Sequence, residues 1–279
     1  GAWPRRRTPG RAGEDERALL IAWADAFVDV PAAAAPDFRA FWSSVTGWPE
    51  SSPRGDRGQF RSLLPDPARA ARAYLRVQEL DGPPRVHLDL VTAGINRESY
   101  ADVDAQLAVV ARRFGAVGAT PVAVLDGVQI LSSPAGQVFC LVTDDEPRDV
   151  GPRDSWAQEW PGGQRSRLAQ VCLDVPPAAY DAELAFWTTV TGWLPHPSSL
   201  PEFTHLRPPS SVPLQLLVQR LADPADRLGA HLDLGSDDVP AEVTRLRDLG
   251  ALDVGPGRGW YTLRDPVLGL PFCVTQQRP

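Results

Sequence analysis

The feature that most constrains this 279-residue chain is that it repeats itself. Phe41-Trp42-Ser43-Ser44-Val45-Thr46-Gly47-Trp48 recurs as Phe186-Trp187-Thr188-Thr189-Val190-Thr191-Gly192-Trp193. His87-Leu88-Asp89-Leu90 recurs unchanged as His231-Leu232-Asp233-Leu234, Val77-Gln78 is matched by Val218-Gln219, and Phe139-Cys140 by Phe272-Cys273. The order is kept and the offset drifts only slightly, which is the signature of a duplicated unit of roughly 120 residues with small loop changes. Two similar domains, residues 22–143 and 167–279, are therefore expected. A Pro/Gly/Asp/Arg-rich linker over 144–166 joins them, and an N-terminal arm over 1–21 carries Arg5, Arg6, Arg7 and Arg11 and reads as disordered.

Within each unit the hydrophobic period alternates between two and 3.6. From Asp25 to Val30, Ala26, Val28 and Val30 fall on one face and Asp25, Phe27 and Asp29 on the other, a half-buried strand. Phe38, Phe41, Trp42 and Val45 follow at helical spacing, with Pro36 near the start and Gly47 at the end. Short strands around 60–64 and 73–80 come next. After Asp81-Gly82-Pro83-Pro84, a strand carries Val86, Leu88 and Leu90 inward and His87 and Asp89 on its opposite face. A helix from Val103 to Gly115 and strands near Ala123, Gln129–Leu131 and Val138–Val142 complete the unit. The fold class is α+β, two βαβββ modules per domain.

Composition excludes several chemistries. All 28 basic residues are Arg, so Schiff-base, pyridoxal-phosphate and P-loop chemistry lack their lysine. A net charge of -7 argues against a nucleic-acid partner. The longest apolar stretch, Ala18 to Ala35, is interrupted by Asp25 and Asp29, so no membrane span is expected. Cys140, Cys172 and Cys273 stand far apart in apolar runs and read as buried thiols of a cytoplasmic protein rather than a disulfide or zinc framework. No Gly-x-Ser-x-Gly elbow is present.

The strand ending in Asp29, the Phe-Trp and Gly-Trp helix, the His-Leu-Asp-Leu strand and the Ser-Pro-Ala-Gly-Gln-Val-Phe-Cys-Leu-Val strand together resemble the glyoxalase/bleomycin-resistance family of the vicinal-oxygen-chelate superfamily. The resemblance covers both halves. It implies cup-shaped sheets made of paired βαβββ modules, each cup taking a small molecule. In metal-dependent members a divalent ion is held from the first strand, from the strand opening the second module, and by a Glu on the last strand. Carried over, these positions fall on Asp25, His87 and Val138 in the first half and on Gln170, His231 and Pro271 in the second. Valine and proline cannot coordinate a cation. No cofactor and no resident metal are therefore expected; the alternative is a divalent ion at Asp25, Gln78 and His87.

Alternation places His87 and Asp89 on the cup face, about 7 Å apart along the strand. A histidine beside a carboxylate is an acid–base group or a substrate anchor; equally, it is a hydrogen-bonded pair that completes a polar wall. The expectation puts chemistry in the first half, on His87 with Asp89 and Asp25, because Gln170 offers the second half no first-strand charge. Gln78, Trp48, His231, Asp233, Gln170 and Trp260 are expected ligand contacts. Asp29 and Asp174 read as caps for the turns that follow them. Trp48 and Trp193, just past a helix-ending Gly, are placed at a cup lip or between the halves. His205, on the strand aligned with Ser62, is weighed as a loop histidine against a partner of Gln170 and His231. The functional expectation is binding of a small organic molecule with lyase- or isomerase-type chemistry; the alternative is a non-catalytic sequestering protein of the drug-resistance kind. The two halves are expected to pack as an intramolecular pseudo-dimer.

Overall fold

The computed structural model describes residues 21–65, 72–146, 156–224 and 227–277. The expected arm lies outside these residues except for Ile21, as does part of the linker. The first half runs β1 (Ile21–Val30), α1 (Ala35–Thr46), β2 (Phe60–Leu63), β3 (Leu75–Glu79), β4 (Arg85–Thr92), α2 (Val103–Gly115), β5 (Thr120–Leu125), β6 (Val128–Ser132) and β7 (Val138–Val142). The second half runs β8 (Gln158–Glu159), β9 (Arg165–Val175), α3 (Tyr180–Thr191), β10 (Leu194–Pro197), β11 (Phe203–Arg207), β12 (Gln215–Arg220), β13 (Gly229–Ser236), α4 (Val239–Asp248), β14 (Leu252–Pro256), β15 (Trp260–Arg264) and β16 (Pro271–Gln276). Among the described residues no helix is long and apolar enough to cross a membrane.

The first sheet has the order β2-β3-β1-β4-β7-β6-β5 and the second β10-β11-β12-β9-β13-β16-β15-β14, with β8 paired to β9. This is the expected α+β arrangement of two tandem two-module domains, and among the described residues no strand crosses from one sheet to the other. The first module of the first half differs in one place. Where the second half has β10, the first has only isolated bridges from Glu50 to Leu63 and from Arg54 to Phe60. Both β1 and β9 are central and buried along almost their whole length. One face meets helices and the other forms the cup floor.

Local chemistry explains the helix ends. Gly47 and Gly192 close α1 and α3 at φ 72 and 69, a left-handed conformation that costs glycine nothing. Asp102 and Asp238 cap α2 and α4 by accepting from Ala105 N and Ala241 N.

The two halves share one apolar core. Trp42 of α1 packs on Phe272 of β16 at 5.3 Å, and Trp187 of α3 packs on Phe139 of β7 at 5.2 Å, so each half's first helix covers the other half's last strand. Trp156 seals the same region against Tyr74 at 5.7 Å. The seam also carries polar links: Tyr74 Oη donates to Leu168 O at 3.0 Å, and Arg245 Nη2 donates to Val45 O at 2.8 Å.

Candidate functional site

Strand register decides what each cup presents. In the first half β1 and β4 are antiparallel, setting Phe27 opposite His87 and Asp25 opposite Asp89; in the second, Cys172 faces His231 and Gln170 faces Asp233. The parallel ladders place Cys140 beside Asp89 and Cys273 beside Asp233. Two residues earlier the same ladders run Val138 alongside His87 and Pro271 alongside His231, and neither side chain can ligate. The last-strand side chain whose donor atom comes close to each imidazole is the cysteine two residues on, Cys140 or Cys273. Neither half has a carboxylate there.

In the first cup His87 sits between two carboxylates, Nδ1 at 3.5 Å from Asp29 and Nε2 at 3.3 Å from Asp89. Burial alone would lower the His87 pKa; Asp29 and Asp89, aided by the Cys140 sulfur, outweigh it and hold the pKa well above the ordinary histidine value. Asp29 is thus not the turn cap expected from its position. It accepts from Arg85 Nε at 2.7 Å, and His87 and Arg85 together keep its pKa low against the opposing effect of burial.

Asp25 does not reach His87 either. It accepts from Trp23 Nε1 at 2.8 Å and Arg76 Nε at 3.1 Å, with Arg72 Nη2 at 3.7 Å. Burial raises the Asp25 pKa against the pull of Arg76 and Arg72. Arg76 continues to Glu146 Oε2 at 2.6 Å, and Arg54 Nη1 reaches Glu146 Oε1 at 2.9 Å. Burial would raise the Glu146 pKa, but Arg76, Arg72 and Arg54 bring it down to about 2. Phe27 stacks on His87. An aromatic ring and a guanidinium–carboxylate cluster therefore pack the floor of this cup.

The second cup has the same frame with smaller side chains. Cys172 takes the place of Phe27, and Leu217, opposite Cys172 on β12, takes the place of Arg76. A cavity of about 620 Å³ opens there, lined by Gln170, His205, Leu217, His231, Asp233 and Trp260 among others. His231 Nδ1 meets Asp174 Oδ2 at 2.8 Å, and Nε2 lies 3.2 Å from Asp233 Oδ1 and 3.6 Å from Cys273 Sγ. Burial lowers the His231 pKa, but the Cys172 sulfur and the Asp233 and Asp174 carboxylates raise it well above normal. Burial keeps Cys172 itself a thiol, so near neutral pH the carboxylates supply the effect. Gln170 is held on every side: Nε2 donates to Asp233 Oδ2 at 2.6 Å, while Oε1 accepts from Gln215 at 2.7 Å and Gln277 at 3.1 Å.

Trp260 and Phe203 form an edge-to-face wall at 5.3 Å. His205 lines the same cavity from β11, and its Nδ1 has no hydrogen-bond partner. Of the expected ligand contacts, Gln170, His231, Asp233 and Trp260 are thus brought together, and Gln78 lies across from Asp29 in the first cup. Trp48 is not at a lip; it is 2% exposed and packs on Tyr74 at 5.0 Å, because the chain turns inward after Gly47. Trp193 is likewise buried. Phe27, Arg72, Arg76 and Glu146 were missed. The Arg76/Leu217 exchange was visible beside the repeated Val-Gln, but Glu146 comes from the far end of the domain.

Donor atoms of His87, Asp89 and Cys140, of Cys172, Asp174 and His231, and of His231, Asp233 and Cys273 lie close enough to hold a metal ion. The first-strand positions bear on the fit. In the first half a guanidinium occupies the metal side of Asp25. In the second, the Gln170 oxygen is saturated by two amide donors and its nitrogen points at Asp233. The thiols are also held protonated, Cys140 being pushed up to about 12 by burial and by Asp89. Each cluster is thus a mixed imidazole, carboxylate and thiol set with its first-strand position already engaged, a poor match for a hard divalent ion.

Comparison with known proteins agrees with this frame. A halotolerant catechol dioxygenase, BphC, superposes with a TM-score of 0.57 at 15% identity, over 93% of this chain and 87% of that one. The 2,3-dioxygenase LapB from Pseudomonas sp. KL28 gives 0.57 at 16%, over 93% of both chains. The Mn(II)-bound glyoxalase from Novosphingobium aromaticivorans gives 0.55 at 16%, over 94% and 83%. Likeness at this identity establishes the fold. No curated protein matches the chain in sequence. The model of the glyoxalase-like domain matches twice, over residues 25–142 and 170–275. Each match opens on the residue facing the cup from the first strand and takes in that half's histidine and last-strand cysteine, so the chain belongs to the glyoxalase-like domain family, once in each half.

Proposed function

We propose that this protein binds a small organic molecule in the cup of its second half, that the first cup is a packed structural copy, and that binding uses no resident metal. The observation that carries this reading is the exchange of Phe27 and Arg76 for Cys172 and Leu217, which accompanies a cavity of about 620 Å³, a size usual for small-molecule sites. Trp260 and Phe203 offer an aromatic wall, and the Gln170–Asp233–His231 network offers fixed polar atoms.

At His231, binding is favoured over turnover. Proton abstraction by that imidazole would need a free ring nitrogen. Both nitrogens of His231 face carboxylates, and its raised pKa keeps it cationic. It serves better as a charged support for Asp233 than as a proton acceptor.

The test is a titration of the full chain with the neutral fluorophore N-phenyl-1-naphthylamine. A saturable signal is expected, weakened in Gly257→Ala, where an added Cβ would lie 2.1 Å from the Trp260 ring. His87→Gln, in the first cup, is expected to lower Tm and leave the affinity intact. Absence of saturable binding, or equal loss in both variants, overturns the proposal.

A further inference from the structure

The second cup contains a buried cation that no carboxylate among the described residues neutralises. Arg167, on the cup wall, is 7% exposed, yet among the described residues no carboxylate pairs with it. Its Nη1 donates to two main-chain carbonyls, Leu168 O at 3.2 Å and Pro213 O at 3.0 Å, and its Nε has no hydrogen-bond partner. Two carbonyl dipoles hold a guanidinium in place without cancelling its charge, and a buried charge left unpaired is costly. Every other buried arginine among the described residues has an acid. Arg39 meets Glu79 and Glu50, Arg72 meets Asp144 and Asp25, and Arg76 meets Asp25 and Glu146.

The rest of the wall has the same sign. Arg207 lines the cavity on the exposed side and makes no ion pair among the described residues. Arg258, also lining, is balanced by Glu202. Asp233 is the one carboxylate among the lining residues, and it already accepts from Gln170 and faces the cationic His231. An entering group therefore meets two uncompensated guanidinium ions and a spent carboxylate.

We infer that the second cup is built for an organic anion, a carboxylate attached to a flat apolar or aromatic body, with Arg167 as the buried anchor, Arg207 as the charge at the mouth, and Trp260 and Phe203 against the body. The guanidinium fork matches a carboxylate in shape and in donor number. This inference deepens the binding reading of the same cup and rests on it.

The experiment is isothermal titration of the full chain with sodium benzoate and, separately, with benzamide, which has the same ring and no charge. Benzoate is expected to bind at least about tenfold more tightly, as a charge-assisted pair in a dry site should. The preference should vanish in Arg167→Gln and persist in Arg167→Lys. Because a buried substitution can disturb folding, Arg207→Gln provides a second reading at an exposed position: it should reduce the preference and make the loss of benzoate affinity with salt shallower. Equal affinities for the two probes, or a preference that survives Arg167→Gln in a folded protein, overturns the inference. If neither probe binds, the inference falls too, and the naphthylamine titration then shows separately whether the cup binds at all.

Discussion

Phe27 lies flat against His87, ring centroids 5.1 Å apart and planes 17° from parallel, at the position where the second half carries Cys172. Both histidines stand between two carboxylates and beside a cysteine, so the frame is duplicated faithfully. What differs is the volume resting on the imidazole. A duplication preserves the architecture because the HLDL strand and the Phe-Trp helix hold the shared core, while cup-facing positions are free to diverge.

Restoring that volume should close the open cup. Cys172→Phe is expected to abolish N-phenyl-1-naphthylamine binding by at least about tenfold. The stability cost should sit at the low end of the ~1–3 kcal/mol usual for overpacking, because the added ring enters existing space. Titration together with thermal melting checks this. A Cys172→Phe protein that binds as well as the parent would show that the ligand lies elsewhere.

Chelation should leave the protein unmoved. An ion bound at 100 times its dissociation constant stabilises a fold by about 2.7 kcal/mol, enough to shift Tm by several degrees when removed. With Asp25 held by Arg76 and Gln170 closed by its amide partners, dialysis against EDTA is expected to change neither Tm nor the naphthylamine titration. A marked fall in Tm, reversed by Mn(II) or Fe(II), would reinstate a metal at one of the histidine clusters.

Much of this was legible beforehand. The repeat alone gave two units, and alternation put His87 with Asp89 and His231 with Asp233 on one strand face, where each pair's side chains meet. The identity of the histidines' other partners was not, because it depends on cross-strand register. Asp29 could be read as a cap from its own strand, and only the β1–β4 pairing brings it to His87. Trp48 was open to a cup lip or a place between the halves, and only the packing decides: the left-handed Gly47 turns it into the shared core. The packed state of the first cup needed Glu146, which folds back onto Arg76 from beyond β7 across 70 residues. Arg167 was read as part of a domain boundary, and its isolation emerges only when every carboxylate around it is located.

Stability should depend on pH through the two histidines. Each has a folded-state pKa raised well above the ordinary value of 6.5. Their contribution is therefore complete below about 6.5 and is lost as pH rises through the folded pKa. Asp29 has the opposite dependence: its lowered pKa contributes above the ordinary 3.8 and is lost as pH falls. Tm is expected to decline on the alkaline side, and His231→Gln should flatten that decline while Asp29→Asn flattens the acid limb. Melting curves in a common low-salt buffer series test both, and an alkaline limb identical in His231→Gln and the parent would show that the imidazole is neutral in the folded protein.

The last prediction concerns how the halves depend on each other. Their sheets are separate, yet Trp42 rests on Phe272 and Trp187 on Phe139, inside one continuous apolar core. Burying each such ring contributes about 1.5–3 kcal/mol, and dividing the chain would expose all four to water together with Tyr74, whose partner Trp156 belongs to neither 1–150 nor 160–279. Polar links at the seam would be cut as well: Glu183 accepts from Ala135 N at 2.5 Å, and Arg245 caps the carbonyl end of α1 through Val45 O. Residues 1–150 and 160–279, expressed separately, are each expected to form native-like strands but to self-associate through the exposed face. Mixed in equal amounts, they should form a one-to-one complex that melts cooperatively and recovers naphthylamine binding. Two monomeric fragments with Tm values near that of the intact chain would show that the shared core contributes little and that each half is an autonomous domain.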